Sequence, residues 1–157
     1  RCWDARSGDG VASLGHPRFV TSVGYSGHYL YTGCADGTLR LWDPTTEECL
    51  AVGEGQHAGL IKKIYISSDG HRIYTAGFDG TVQVHDAYSM GLLRRLPTGR
   101  HVYIRSPLTL FPAHRDGIWA MALSPDGTTL ATGGEDMIAR LWDVSGIAAG
   151  DAPRVRV

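Results

Sequence analysis

Lysine is almost missing from this chain: Lys62 and Lys63 are the only two in 157 residues, and the remaining cations are arginine. That preference reads as coding bias more readily than as function. With 15 basic residues against 16 acidic ones and a net charge of −1, the chain lacks the basic footprint that binding to nucleic acid requires. Cysteine is scarce too. Cys2, Cys34 and Cys49 form no Cys-x-x-Cys pair and are odd in number, which argues against a disulfide framework or a zinc site and for a reducing, intracellular setting. No apolar run approaches the length of a membrane span, and no secretory leader opens the chain. None of the seven histidines has a partner at His-x-His or His-x-x-x-His spacing, so no metal and no other cofactor is expected. A phosphate loop and a nucleophile elbow are likewise absent from the sequence.

What is present is a period. Counting from His16, His57 and His114, the fourth residue on is Val20, Ile61 or Ile118, and the seventh is Val23, Ile64 or Met121. The ninth is Tyr25, Ile66 or Leu123, and the tenth is Ser26, Ser67 or Ser124. Each unit then reaches an aspartate in a tight-turn setting, Asp36-Gly37, Asp79-Gly80 or Asp136-Met137, preceded four residues earlier by Thr32, Thr75 or Thr132. Six residues after the aspartate stands Trp42, His85 or Trp142, each followed by Asp43, Asp86 or Asp143. The opening Arg1-Cys2-Trp3-Asp4 matches only the end of a unit. A period of this length decides the architecture before any single residue does.

Each unit reads as four short strands. An apolar run (Phe19 to Ser26, Ile61 to Ser67, Ile118 to Ser124) precedes a turn that in two units contains Asp69-Gly70 or Asp126-Gly127, the dipeptide suited to tight hairpins. A second run leads to the aspartate turn, and a third alternates strictly, as in Thr38-Leu39-Arg40-Leu41-Trp42. Fourth strands are expected around Cys49 to Val52, Leu92 to Leu96 and Arg154 to Val157. No stretch keeps apolar residues at helical spacing for three turns, so the class is all-β.

The order Gly-His, apolar strand, Ser-Pro-Asp-Gly, Thr-Gly-Gly-x-Asp, Trp-Asp resembles the WD40-repeat β-propellers, whose units are four-stranded antiparallel blades around a central channel. The resemblance covers roughly residues 1 to 145 and implies about three and a half blades, parts of a larger propeller. The divisions are 1–14 for the end of one blade, 15–55 for a blade, 56–112 for a blade with a long inserted loop, and 113–157 for a further blade. Closure is what removes exposed strand edges, so the native polypeptide is expected to extend, or these blades to pair with those of another chain. The resemblance further implies that His16, Thr32, Asp36 and Trp42 form a bracing hydrogen-bond network, as do His114, Thr132, Asp136 and Trp142. In the middle unit His57, Thr75 and Asp79 keep their places, and His85 in place of tryptophan implies a looser network.

A histidine, an aspartate and a hydroxyl in one unit look like a hydrolase triad. A trio that recurs with the fold is instead expected to be structural, and the chain is expected not to be an enzyme. Binding surfaces are sought in two places. The interval from His85 to Trp142 exceeds that from Trp42 to His85 by about fourteen residues, which alignment places in Pro97 to Pro112; insertions in repeat proteins fall in loops, often on the binding face. That segment and its flank mix Arg94, Arg95, Arg100 and Arg105 with Tyr103, Ile104, Leu108 and Phe111, residue types favoured at protein interfaces. In the WD40 family the histidine loops and aspartate turns share one rim. By that resemblance Arg18, Phe19, Leu60, Lys62, Asp116 and Gly117 face solvent near the channel mouth, with Ala35, Phe78 and Glu135 from the turns. Phe78 stands out, because a large aromatic at a solvent-facing turn has no core to satisfy.

The expected function is a non-catalytic scaffold that binds other proteins, within a multiprotein complex, through its rim and loops. One alternative is the substrate-receptor subunit of a cullin-type ubiquitin ligase, since Trp3-Asp4-Ala5-Arg6 resembles the Trp-Asp-x-Arg tetrapeptide of such receptors. The other is the propeller arm of a larger multidomain enzyme.

Overall fold

The computed structural model describes residues 1–53, 57–96 and 117–147. Among them every regular element is a strand. β1 (Cys2–Trp3) and β2 (Gly10–Ala12) form a two-stranded antiparallel sheet. Three meanders follow. β3 (Val20–Ser26), β4 (Tyr29–Cys34), β5 (Leu39–Asp43) and β6 (Glu48–Val52) make the first, and β7 (Ile61–Ile66), β8 (Arg72–Gly77), β9 (Val82–Asp86) and β10 (Leu92–Leu96) the second. β11 (Ile118–Leu123), β12 (Thr129–Gly134) and β13 (Ala139–Asp143) make the third. Sequential strands pair throughout, as short hairpin connections dictate. The fourth strand expected at Arg154 to Val157 lies outside the described residues.

The turns explain the meander. Between β7 and β8 the Ser67 hydroxyl donates to the Asp69 carboxylate at 2.5 Å, and Gly70 donates its N–H to the Ser67 carbonyl at 2.9 Å. Ser124, Asp126 and Gly127 repeat both bonds between β11 and β12. The aspartate of every Trp-Asp-type pair likewise caps the turn after its strand. Asp4 accepts the amides of Arg6 and Ser7, Asp43 that of Thr45, Asp86 those of Tyr88 and Ser89, and Asp143 that of Ser145.

The core lies between sheets, because each meander has an apolar strip on both faces. Tyr31, Leu39 and Leu41 of the first sheet pack with Ile61, Ile64 and Ile73 of the second, and Ala87 and Met90 close the outer end. On its other face the second sheet sets Tyr74, Ala76, Val82, Val84 and Leu96 against Ile118, Leu123, Leu130 and Trp142 of the third. The periodic positions thus change environment with their neighbours. Ile64 is 9% exposed between two sheets, whereas Val23, its counterpart in the first sheet, is 61% exposed.

Each innermost strand breaks register once, between Val20 and Ser22, Ile61 and Lys63, and Ile118 and Ala120. A bulge leaves one residue unpaired and re-aims its side chain. Here the extra residues are Thr21, Lys62 and Trp119, one per blade, at the end of the strand nearest the aspartate turns.

Candidate functional site

Two sets of residues have distinct surroundings: the recurring polar residues inside the blades, and the bulge and turn residues on the rim.

Inside the first blade, Trp42 Nε1 donates to Thr32 Oγ1 at 2.8 Å, and the Thr32 hydroxyl lies 2.7 Å from His16 Nε2. The other ring nitrogen of His16 donates to the Leu14 carbonyl at 3.1 Å, and the imidazole leans on the indole with centroids 4.8 Å apart. Asp36 is not a member of this chain of bonds. Its carboxylate meets Arg40 Nη2 at 2.8 Å and accepts the amide and hydroxyl of Thr38. The four residues grouped by resemblance therefore divide into His16, Thr32 and Trp42 on one side and an Asp36–Arg40 pair on the other. The third blade has the same division in its described part: Trp142 Nε1 donates to Thr132 at 2.9 Å, and Arg140 pairs with Asp136 at 2.6 Å. His114 lies outside the described residues.

The middle blade is wired differently. His57 Nδ1 donates to Asp79 at 3.0 Å, and its Nε2 lies 2.8 Å from the Thr75 hydroxyl. Asp79 also accepts the amides of Ala58 and Thr81 and the Thr81 hydroxyl. Burial alone would raise the Asp79 pKa, but the hydrogen bond and charge of His57 outweigh it and hold the carboxyl well below its usual range. Gln83 occupies the place of Arg40 and Arg140, and His85 that of the tryptophans. Both are buried, and neither the Gln83 amide nor His85 Nδ1 has a hydrogen-bond partner. Thr75 is completely buried, so its hydroxyl presents no nucleophile to a dissolved substrate. Asp79 makes the difference between blades, because it has no arginine four residues on and turns to His57 instead.

On the rim, one backbone bond recurs in all three blades. Ala35 donates to the Phe19 carbonyl, Phe78 to that of Leu60, and Glu135 to that of Gly117, at 2.8–3.1 Å. This bond ties each aspartate turn to its histidine loop and fixes what the loop presents. Phe19 and Arg18 are exposed, Leu60 and Lys62 half-buried, Phe78 43% exposed, and Glu135 exposed. Arg100, Tyr103, Arg105 and Asp116 lie outside the described residues, as does the whole of the 97–112 insertion.

Three of the rim residues come together. Phe78 from the second blade meets Trp119 from the third edge to face, with centroids 6.2 Å apart and an interplanar angle of 83°. Lys62 places its ammonium 3.7 Å from the centre of the same indole. Gly117 lets the phenyl ring lie against the third blade, since a Cβ there would strike it. Trp119 nevertheless remains 47% exposed. Phe78 is thus held by an aromatic partner across the blade boundary, whereas the sequence reading placed it alone in solvent. Trp119 was not among the expected rim residues, although it is the fifth residue after His114, as Lys62 is after His57.

Among the described residues no group of three or more histidine, cysteine, aspartate or glutamate side chains could hold a metal ion, and no helix is long and apolar enough to cross a membrane. The exposed Trp3-Asp4-Ala5-Arg6 turn has the same carboxylate-capped geometry as the other three pairs.

The family model described as "WD domain, G-beta repeat" matches residues 8–43, 47–86 and 105–143. Nuclear distribution protein PAC1-2 of Uncinocarpus reesii is 29% identical over 88% of this chain and 32% of its own length. Actin-interacting protein 1 of Drosophila melanogaster is 29% identical over 73% of the chain and 17% of its own length. Serine-threonine kinase receptor-associated protein of Gallus gallus is 36% identical over 61% of the chain and 28% of its own. The chain therefore spans less than a third of the length of these curated relatives. Three matched repeats, each folded as an antiparallel blade with a Trp-Asp-type pair on its third strand, place the chain in the WD40-repeat family of β-propeller proteins.

Proposed function

We propose that this chain is a non-catalytic protein-interaction module, working inside the cell as part of a larger complex, and that it binds through the rim at the boundary between its second and third blades. The observation that carries this reading is the Phe78–Trp119–Lys62 cluster. Two large aromatic rings from different blades meet at the surface and stay nearly half exposed, where no core requires them. Exposed aromatics with polar neighbours mark contact sites, and tryptophan is the residue most enriched at energetic centres of interfaces. Relatives whose names speak of nuclear distribution, actin interaction and receptor association support work through other proteins. Thr75 and His57, the polar groups that most resemble a reactive pair, are both buried, which supports a structural role for them. Nothing about the Arg6 turn favours the ligase-receptor reading over a cap common to all four pairs.

The test is selection of random twelve-residue peptides displayed on phage against the chain, followed by titration of the enriched peptides into Trp119→Ala and Phe78→Ser. The reading expects affinity to fall at least about tenfold in both variants, the loss typical of removing one interface anchor. Enriched peptides that bind both variants as well as the parent would refute it.

A further inference from the structure

The proposed rim site says where a partner sits; charge says what the partner carries. We infer that the site takes an extended peptide segment presenting a side-chain carboxylate next to an apolar side chain. The inference rests on the interaction reading above.

The argument is a census of charge around the cluster. The aspartates of the three turns are engaged internally: Asp36 by Arg40 and Thr38, Asp79 by His57 and Thr81, Asp136 by Arg140. Lys62 differs: among the described residues no carboxylate lies within ion-pair distance of it, nor of Arg18, which precedes the innermost strand of the first blade. Lys62 is held in place by the indole, which attracts its ammonium through the ring quadrupole. The indole offers no hydrogen-bond acceptor in its plane to compete with a carboxylate, so the ammonium keeps its donors for a ligand.

The same contact disfavours the opposite chemistry. A cationic side chain seeking Trp119 would find Lys62 already over the ring and would be repelled by it. Phe78 and the uncovered part of Trp119 supply the apolar half of the site. The ammonium of Lys62 beside the indole is the positive end of the site, so the incoming carboxylate lies on the Lys62 side. Bulge geometry makes this possible, because Lys62 and Trp119 are the unpaired residues of adjacent innermost strands.

The experiment uses four pools of capped twelve-residue peptides with degenerate apolar content, in which one central position is fixed as glutamate, glutamine, lysine or phosphoserine. Binding to the full chain is followed by tryptophan fluorescence at low and high sodium chloride, and repeated with Lys62→Met, which keeps side-chain length and removes the charge. The glutamate pool is expected to bind at least about tenfold more tightly than the glutamine pool, to weaken with salt, and to lose that advantage in Lys62→Met. Unchanged circular dichroism of the variant would show that it is folded. Equal binding of the glutamate and glutamine pools would overturn the inference and leave the rim reading standing, as would preference for the lysine or phosphoserine pool. Failure of all four pools to bind would overturn both.

Discussion

Replacing tryptophan by histidine in the middle blade has a consequence for the pH dependence of folding. His85 is 2% exposed. Burial pushes its pKa down to about 4; hydrogen bonding to the Met90 backbone works against that shift, and the nearby charges of His57 and Arg95 add to it. In the unfolded chain an imidazole titrates near 6.5. Between these values the unfolded state holds a proton that the folded state does not, so lowering pH favours unfolding. The contribution is complete above about pH 6.5, declines as pH falls, and levels off below about 4. Between pH 7.5 and pH 5 this linkage amounts to about 2 kcal/mol, which for urea slopes of 1–3 kcal/mol/M is a midpoint shift of about 1 M. The half-buried carboxyls of the aspartate turns do not interfere. For Asp79 and Asp36 burial alone would raise the pKa, but hydrogen bonds from His57 and Arg40 respectively hold it low, so their contribution is lost only below about pH 4. Urea unfolding followed by tryptophan fluorescence at the two pH values, on the parent and on His85→Gln, isolates the effect. The parent should lose about 2 kcal/mol more than the variant over this range. Parallel losses in the two proteins would show that His85 is not the group responsible.

Three further substitutions probe the account elsewhere. Met137 takes the left-handed conformation (φ 62°) at the place where Gly37 and Gly80 stand in the other blades, so Met137→Gly should raise the unfolding free energy by about 1 kcal/mol; a decrease would contradict the strain. Gln83 is completely buried with its amide unpaired, so Gln83→Met should stabilise by about 1–2 kcal/mol in urea titrations, and a loss of that size would mean that the amide is satisfied. Gly37 combines φ 82° with a position where a Cβ would meet the His57 carbonyl, so Gly37→Ala should cost about 2 kcal/mol or more by the same assay, and a neutral effect would refute the close approach.

Most of the strands were legible because period-two alternation and the Asp-Gly turns leave marks in the sequence. Leu92–Leu96 forms where it was expected, and β3, β7 and β11 differ from expectation by only one residue at an end. The wiring of the polar residues was less legible. Asp36 has two possible partners, and sequence spacing from His16 does not reveal that Arg40, across one turn, will capture the carboxylate. Arg140 repeats the choice and Gln83 cannot make it, a contrast that was available from the fourth residue after each aspartate. The rim cluster was hidden for another reason. Bulges at Thr21, Lys62 and Trp119 shift the side-chain alternation by one, so a strict strand pattern misjudges which residues reach the rim. Lys62 and Phe78 were singled out by type and position, but their common partner Trp119 came into view only with the packing of adjacent blades.

The central claim divides the tryptophans: Trp142 holds a blade together, and Trp119 is held out for a partner. Urea unfolding of Trp142→Ala and Trp119→Ala side by side tests that division most directly. Trp142 is 9% exposed and donates to Thr132, so its loss should cost about 3–5 kcal/mol. Trp119→Ala should cost no more than about 1 kcal/mol, as for a residue outside the core. Equal costs, or a larger one at Trp119, would contradict the account.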